Sequence, residues 1–411
     1  MIAKNVWTKD FTLITVGTII SAIAGQTISL PLSLMVFDET GSTFLSAILF
    51  ISSMVPNVIL PILIAPIIDR NPKKWLIVGL DYLTALMYFL IAYIVGKTGF
   101  VYSIYLGFSF AAGTIGTIYL LAYQAWFPDL IPMGYEQQGY AISSSIYPSI
   151  MIFMSPIAAY LYKTLSIDKI FLIIGFLTLG AATFEIFINN VNHVGKKTKF
   201  SFDEYKKDML RGFEFLRNEK GIRNIYTYMS VTNGVANGLS IMIQAYFQTV
   251  SFLSVTMLAF LKSSETVGRI IGGAVQYKIN VPPEKRYGIT KFVYATYETM
   301  DMLLLFMPYP LMIINRFICG FLGMTSATLR ETSVQSYLPA DVRAKVNAVF
   351  SVFIAVSIIF FQMVGGFLGD IIGYRKVVVI LTAISFSIMF IFIVLPTKEN
   401  QKVYSARRME A

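Results

Sequence analysis

An all-α integral membrane protein, with twelve transmembrane helices in two six-helix repeats, is the fold this sequence predicts, on three observations. Of its 411 residues 56% are hydrophobic and 14% are charged, where a soluble domain carries about 25% charged residues. A bilayer-crossing helix takes ~20 mostly apolar residues. Twelve stretches qualify: residues 11–37, 44–68, 75–95, 100–125, 138–162, 170–190, 224–249, 252–279, 287–307, 309–335, 345–369 and 376–396. The third observation is a repeat. A shift of 207 positions carries Ala65-Pro66 onto Gly272-Gly273, Gly113 and Gly116 onto Gly320 and Gly323, and Ile131-Pro132 onto Leu338-Pro339. The same shift carries Ala141 onto Ala348 and Leu161 onto Leu368. The predicted division is therefore residues 1–190 for the first bundle, 191–223 for a cytoplasmic linker, 224–396 for the second bundle and 397–411 for a cytoplasmic tail.

The first stretch is too long for a signal-peptide core and lacks a small-residue cleavage site after it, so it is expected to be retained. Loops between stretches are short, which makes neighbouring helices antiparallel. The first outer turn, Asp38-Glu39-Thr40-Gly41-Ser42, is acidic and has no Lys or Arg. Small residues punctuate the spans at Gly113 and Gly116, Gly268 and Gly272, and Gly365, Gly366 and Gly369, where backbones approach closely in lipid.

The net charge of +10 is unevenly placed. With the N-terminus inside, the cytoplasmic segments hold 24 Lys and Arg and the opposite segments five: Lys97, Lys163, Lys169, Arg375 and Lys376. This positive-inside pattern puts both termini in the cytoplasm and argues against a nucleic-acid face. Cys319 is the sole cysteine and His193 the sole histidine. No intrachain disulfide, metal site, haem or Cys/His nucleophile is expected, and no cofactor. Without a nucleophile elbow or a Walker sequence the chain is expected not to be an enzyme and not to hydrolyse ATP.

Residues 191–223 are the one long hydrophilic connection. Ser201-Phe202-Asp203-Glu204 forms a capping box. Phe202, Tyr205, Met209, Phe213 and Leu216 recur at helical spacing, which predicts an amphipathic helix, lying on the membrane surface or serving as a soluble linker.

Ionisable residues inside spans are costly and mark functional candidates. In the second bundle Glu265, Arg269, Glu298, Asp301 and Arg316 are expected to form one cluster, with Glu265 and Arg269 at i,i+4 on one helix face. Three carboxylates against two arginines leave one carboxylate free to exchange a proton, unless Lys262 supplies the balance. A set of structural ion pairs is the competing reading. Asp81 and Glu185 are further proton-coupling candidates, with an ion pair to Arg70 or another loop base as their competing reading. Candidates for a substrate cavity are Gln26 in the first span, Tyr119, Tyr123 and Gln124 in the fourth, and the stripe Asn233, Asn237 and Gln244 in the seventh. Uncharged polar groups among aromatics and methionines suit an amphipathic organic molecule, although helix–helix hydrogen bonding uses the same residues. A duplicated bundle is how many secondary transporters build a central site between two halves.

The loop from Ala65 to Lys74 resembles the signature G-x-x-x-D-R-x-G-R-K of the major facilitator superfamily, between its second and third helices, and the likeness covers essentially the whole chain. Asp69, Arg70, Lys73 and Lys74 match; Ala65 and Pro72 replace the two glycines, and Gln276 stands where the second copy would carry the aspartate. The stretches Phe202–Gly221 and Tyr337–Phe350, together with Asp81, are similar to the macrolide-efflux-like branch of multidrug exporters. The Arg-x-x-x-Gly of exporters, usually in the fourth helix, stands here as Ser109 with Gly113, and the arginine occurs in the other repeat as Arg316 with Gly320. The glycine-proline motif of the fifth helix is reduced to Ser155-Pro156-Ile157-Ala158-Ala159.

The resemblance implies the major facilitator fold and a monomer in the bacterial plasma (inner) membrane, contacting lipid. It implies export of a small amphipathic organic compound, drug-like or macrolide-like, by proton antiport with alternating access. Asp69, Arg70, Lys73 and Lys74 would then act as a conformational gate that locks the inner side of the outward-open state. A lipid, siderophore or metabolite carrier of the same superfamily, or a non-transporting receptor or scaffold, remain the alternatives.

Overall fold

The computed structural model describes residues 5–189, 202–279 and 281–406, and among them the regular structure is helical throughout. The side chains of residues 62, 63, 65–67, 69, 70, 137, 202–205, 340 and 341 are outside the description. Ser201 of the expected capping box and His193 also lie outside the described residues.

The chain divides into two compact units, residues 1–41 with 48–200, and residues 42–47 with 201–411. The first carries α1 (Lys9–Thr40), α2 (Thr43–Arg70), α3 (Lys73–Thr98), α4 (Tyr102–Leu130), α5 (Glu136–Thr164) and α6 (Ile167–Ile186), except for the first turn of α2, which groups with the second unit. The second carries α7 (Phe202–Asn218), α8 (Lys220–Thr249), α9 (Val255–Lys278), α10 (Pro283–Leu303), α11 (Tyr309–Tyr337), α12 (Ala340–Ile372), α13 (Tyr374–Met389) and α14 (Thr397–Tyr404). Helices α1–α6 and α8–α13 are the twelve spans of two six-helix bundles.

Helix ends follow local chemistry. The Thr8 hydroxyl accepts the Phe11 N–H at 3.3 Å and starts α1. Gly41, at φ 65°, ends it with its N–H on Phe37 O at 2.8 Å, a left-handed cap that a Cβ would strain. Nine helices among the described residues are long and apolar enough to cross a membrane by composition alone. Spans α8, α9 and α10 are not among them, because they carry Asn233 and Asn237, Lys262, Glu265 and Arg269, and Glu298 and Asp301.

The repeat is visible in the packing. In the first unit a Cβ on Gly113 of α4 would run into Ser53 O of α2; in the second, a Cβ on Gly320 of α11 would run into Glu265 O of α9. The two glycines are 207 positions apart and do the same thing, letting the second and fourth spans of each bundle touch backbone to backbone.

The linker helix docks within its own unit. A Cβ on Gly212 would sit 2.6 Å from Lys345 O of α12, Lys345 Nζ pairs with Asp208 Oδ1 at 3.1 Å, and Leu216 is buried. Leu210 and Phe213 stay exposed. The expected tail is partly structured: α14 buries Asn400, Val403 and Tyr404 against the second unit. The Tyr404 hydroxyl meets Tyr294 Oη at 3.1 Å, and its carbonyl accepts the Ser333 hydroxyl at 3.2 Å.

Candidate functional site

The close contact of α9 with α11 decides the electrostatics of the second unit. It brings Arg316 of α11 against Glu265 of α9, while Asp301, in the last turn of α10, approaches from a third helix. Arg316 donates through Nη2 to Asp301 Oδ1 at 2.5 Å, and both side chains are 7% exposed. Its Nη1 lies 4.0 Å from Glu265 Oε2. Asn315 Oδ1 takes two more of its N–H groups, at 3.1 and 2.9 Å. Glu265 also accepts from Arg269 one turn on, at 2.8 Å. A buried guanidinium is tolerated only with this degree of pairing.

Glu298 does not join that cluster, contrary to the five-member expectation. It sits three residues before Asp301, about 60° round the helix, and looks toward α8 and α13. There Oε1 accepts three hydroxyls: Ser385 at 2.6 Å, Tyr228 at 3.0 Å and Thr232 at 3.0 Å. No described arginine or lysine forms an ion pair with it.

Two adjoining cavities open on these groups. One, about 220 Å³, is lined by Lys262, Glu265, Arg269, Asp301, Arg316 and Asn237, among others. The second, about 260 Å³, is lined by Asn233, Tyr228, Tyr294 and Arg330, and shares Ala236, Arg269 and Tyr297 with the first. Asn233 and Asn237 thus reach cavities, while each amide also donates to its own helix, to Met229 O at 2.7 Å and Asn233 O at 2.9 Å. Gln244 lies away from both cavities, buried, its amide on Gln248 Oε1 at 3.1 Å.

The first unit holds a different arrangement. Asp81 of α3 is buried and Glu185 of α6 is fully buried, and the two carboxyl groups are close enough to interact. Tyr119 donates to Glu185 Oε1 at 3.2 Å. Asp81 Oδ2 and Glu185 Oε2 have no hydrogen-bond partner among the described residues. Helix α1 closes over the pair at Gly17, where a Cβ would lie 3.0 Å from Glu185 Oε1. No described base pairs with either acid; the side chain of Arg70, the expected partner, lies outside the described residues.

Tyr119 therefore serves a carboxyl group, where the sequence suggested a cavity wall. Tyr123 stacks on it with ring centroids 6.2 Å apart and bonds Thr18 and Ser143, each at 3.4 Å. Gln124 is exposed and Gln26 half-buried. Of the loop residues, the side chains of Asp69 and Arg70 are outside the description; Lys74 is buried with its ammonium 4.9 Å from the Trp75 ring centroid, a cation–π contact. Sequence reasoning did not reach Tyr228, Thr232, Ser385, Asn315 or Tyr297. Hydroxyls and amides in spans are too common for spacing to mark them. Among the described residues no cluster of metal-ligand type occurs.

A family model described as Major Facilitator Superfamily matches residues 14–297 and 294–410. No curated protein sequence matches the chain. Among solved structures, the nucleoside transporter NupG is similar at TM-score 0.65 and 12% identity, over 94% of this chain and 99% of that one. A bacterial homolog of the human lysosomal transporter Spinster, inward-facing and unoccupied, is similar at TM-score 0.63 and 11% identity, over 99% and 100%. A POT family transporter in complex with a thioalcohol conjugated peptide is similar at TM-score 0.64 and 10% identity, over 95% and 96%. At such identities the likeness is one of fold.

Proposed function

Given that the chain belongs to the Major Facilitator Superfamily, and so is a multi-pass membrane transporter of small molecules, we propose that it exports an amphipathic organic compound by proton antiport. The proposed setting is the bacterial plasma membrane, with both termini cytoplasmic and the protein a monomer surrounded by lipid. The observation that carries this reading is the pair of polar, aromatic-lined cavities inside apolar helices of the second unit, the construction of a small-molecule site. The Asp81–Glu185 pair supports proton exchange, because two neighbouring buried carboxyls disfavour being ionised together, so one can take up and release a proton as the surroundings change. The Asp69–Lys74 loop is proposed as the inner gate, and the branch as the macrolide-efflux-like one, on the sequence likeness. A polar metabolite is the second reading. It is favoured by the Arg316–Asp301 pair, and proteins of this fold include ones named for nucleosides and in complex with a peptide conjugate.

Flux in proteoliposomes with an imposed pH gradient tests the proposal, with dyes and macrolides beside nucleosides, peptides and lysophospholipids. Gradient-dependent movement of an amphipathic compound is the expected result. Movement indifferent to the gradient removes the antiport, and movement of polar metabolites alone favours the second reading.

A further inference from the structure

Four basic residues within the second unit's helices stand at these cavities. Lys262, Arg269, Arg316 and Arg330 each line one cavity or the other. The carboxylates nearby are already committed. Asp301 is held by Arg316 at 2.5 Å, Glu298 by three hydroxyls, and Glu265 by Arg269 at 2.8 Å. Arg330 is held at 3.0 Å by Glu331, outside the cavity lining. Lys262 remains: no described carboxylate comes within ion-pair distance of it. Arg269 is paired through Nε and Nη2 on one edge and has a side chain 53% exposed, leaving the rest of its guanidinium free to donate. The first cavity therefore has three cations against two carboxylates, in surroundings where one surplus charge acts strongly.

The geometry points to a site for the acidic group of an amphipathic substrate, a carboxylate or phosphate, received by Arg269 and Lys262. The aromatic part of the substrate lies along Tyr297 toward Tyr294 and Tyr228 in the adjoining cavity. This rests on the transporter reading and narrows it, from amphipathic compounds in general to organic anions and zwitterions. Lys262 and Arg269 are seven residues apart on α9 and so share a face, with Glu265 between them. Glu265 both orients Arg269 and limits how tightly an anion is held.

The test is equilibrium binding to the purified full chain in detergent, by calorimetry, with benzoate and phenyl phosphate as anionic probes and benzyltrimethylammonium as the matched cation. The expected result is saturable anion binding and no cation binding. Loss of one charge-assisted hydrogen bond in Arg269→Gln or Lys262→Gln should weaken the anion about ten-fold. Arg269→Lys should retain part of the affinity, and Glu265→Gln should tighten it. Preference for the cation, anion affinity unmoved in both neutral variants, or no anion binding at about 50 mM, well beyond a millimolar Kd, each overturns the inference. Binding is read without a gradient, so such a failure leaves transport to the flux assay. Anion binding intact in a protein that moves no solute would instead remove the transport reading and keep the site.

Discussion

Asp301→Asn is the substitution for which the structure gives the sharpest expectation. It keeps shape and removes one charge from a pair in which both side chains are 7% exposed and 2.5 Å apart. Breaking a buried pair by removing one partner costs about 3–5 kcal/mol, since the remaining charge is stranded. Arg316 is not wholly stranded: Asn315 Oδ1 keeps two of its N–H groups and Glu265 Oε2 stays 4.0 Å away. The loss should therefore fall at the lower end, about 3 kcal/mol, a drop of more than 100-fold in the folded-to-unfolded ratio. Arg269→Gln is the contrast. It breaks a pair of similar length whose arginine is 53% exposed, so about 0.5 kcal/mol is expected. Equilibrium unfolding of purified protein in detergent, followed by tyrosine and tryptophan fluorescence, reads both. The double variant Asp301→Asn with Arg316→Gln removes the stranded charge and should recover much of the single-variant loss. The reasoning fails if Asp301→Asn matches the parent within about 0.5 kcal/mol, or if Arg269→Gln costs as much.

Gly320→Ala would push a methyl into Glu265 O and should cost about 1–3 kcal/mol as α9 and α11 separate. Gly323→Ala, with Tyr297 Cε2 3.6 Å from the new atom, should be tolerated; thermal unfolding of the two proteins decides. Glu185→Gln should abolish proton-driven flux while leaving gradient-free solute exchange in proteoliposomes, and full coupling in that variant would remove the Asp81–Glu185 pair from the mechanism. Tyr404→Ala empties a fully buried position in α14 and should cost about 3 kcal/mol, against under about 0.5 kcal/mol for Tyr277→Ala, whose side chain is 92% exposed. Equal unfolding midpoints would mean that α14 contributes nothing to the second unit.

By itself the sequence determined the class of the protein, because hydropathy, helix length and repetition are properties of composition and spacing alone. The apolar stretches had to be spans, since a backbone in lipid must satisfy its own hydrogen bonds. The offset of 207 that links Gly113 with Gly320 was readable before any packing was known. It named the intramembrane charges too, because they stand out against an apolar background. What it left open was partnership. Asp81 and Glu185 are more than a hundred residues apart, and nothing in their spacing says whether an acid there meets a base or another acid. Glu298 and Asp301 are three residues apart, yet one faces hydroxyls and the other an arginine, because neighbouring helices present different groups to each side of α10. No described carboxylate comes within ion-pair distance of Lys262, while Glu265 on the same helix pairs with Arg269 and approaches Arg316. Those choices depend on which helices touch and how closely. The tertiary structure decides that through backbone contacts such as Gly320 on Glu265, which no one-dimensional pattern contains.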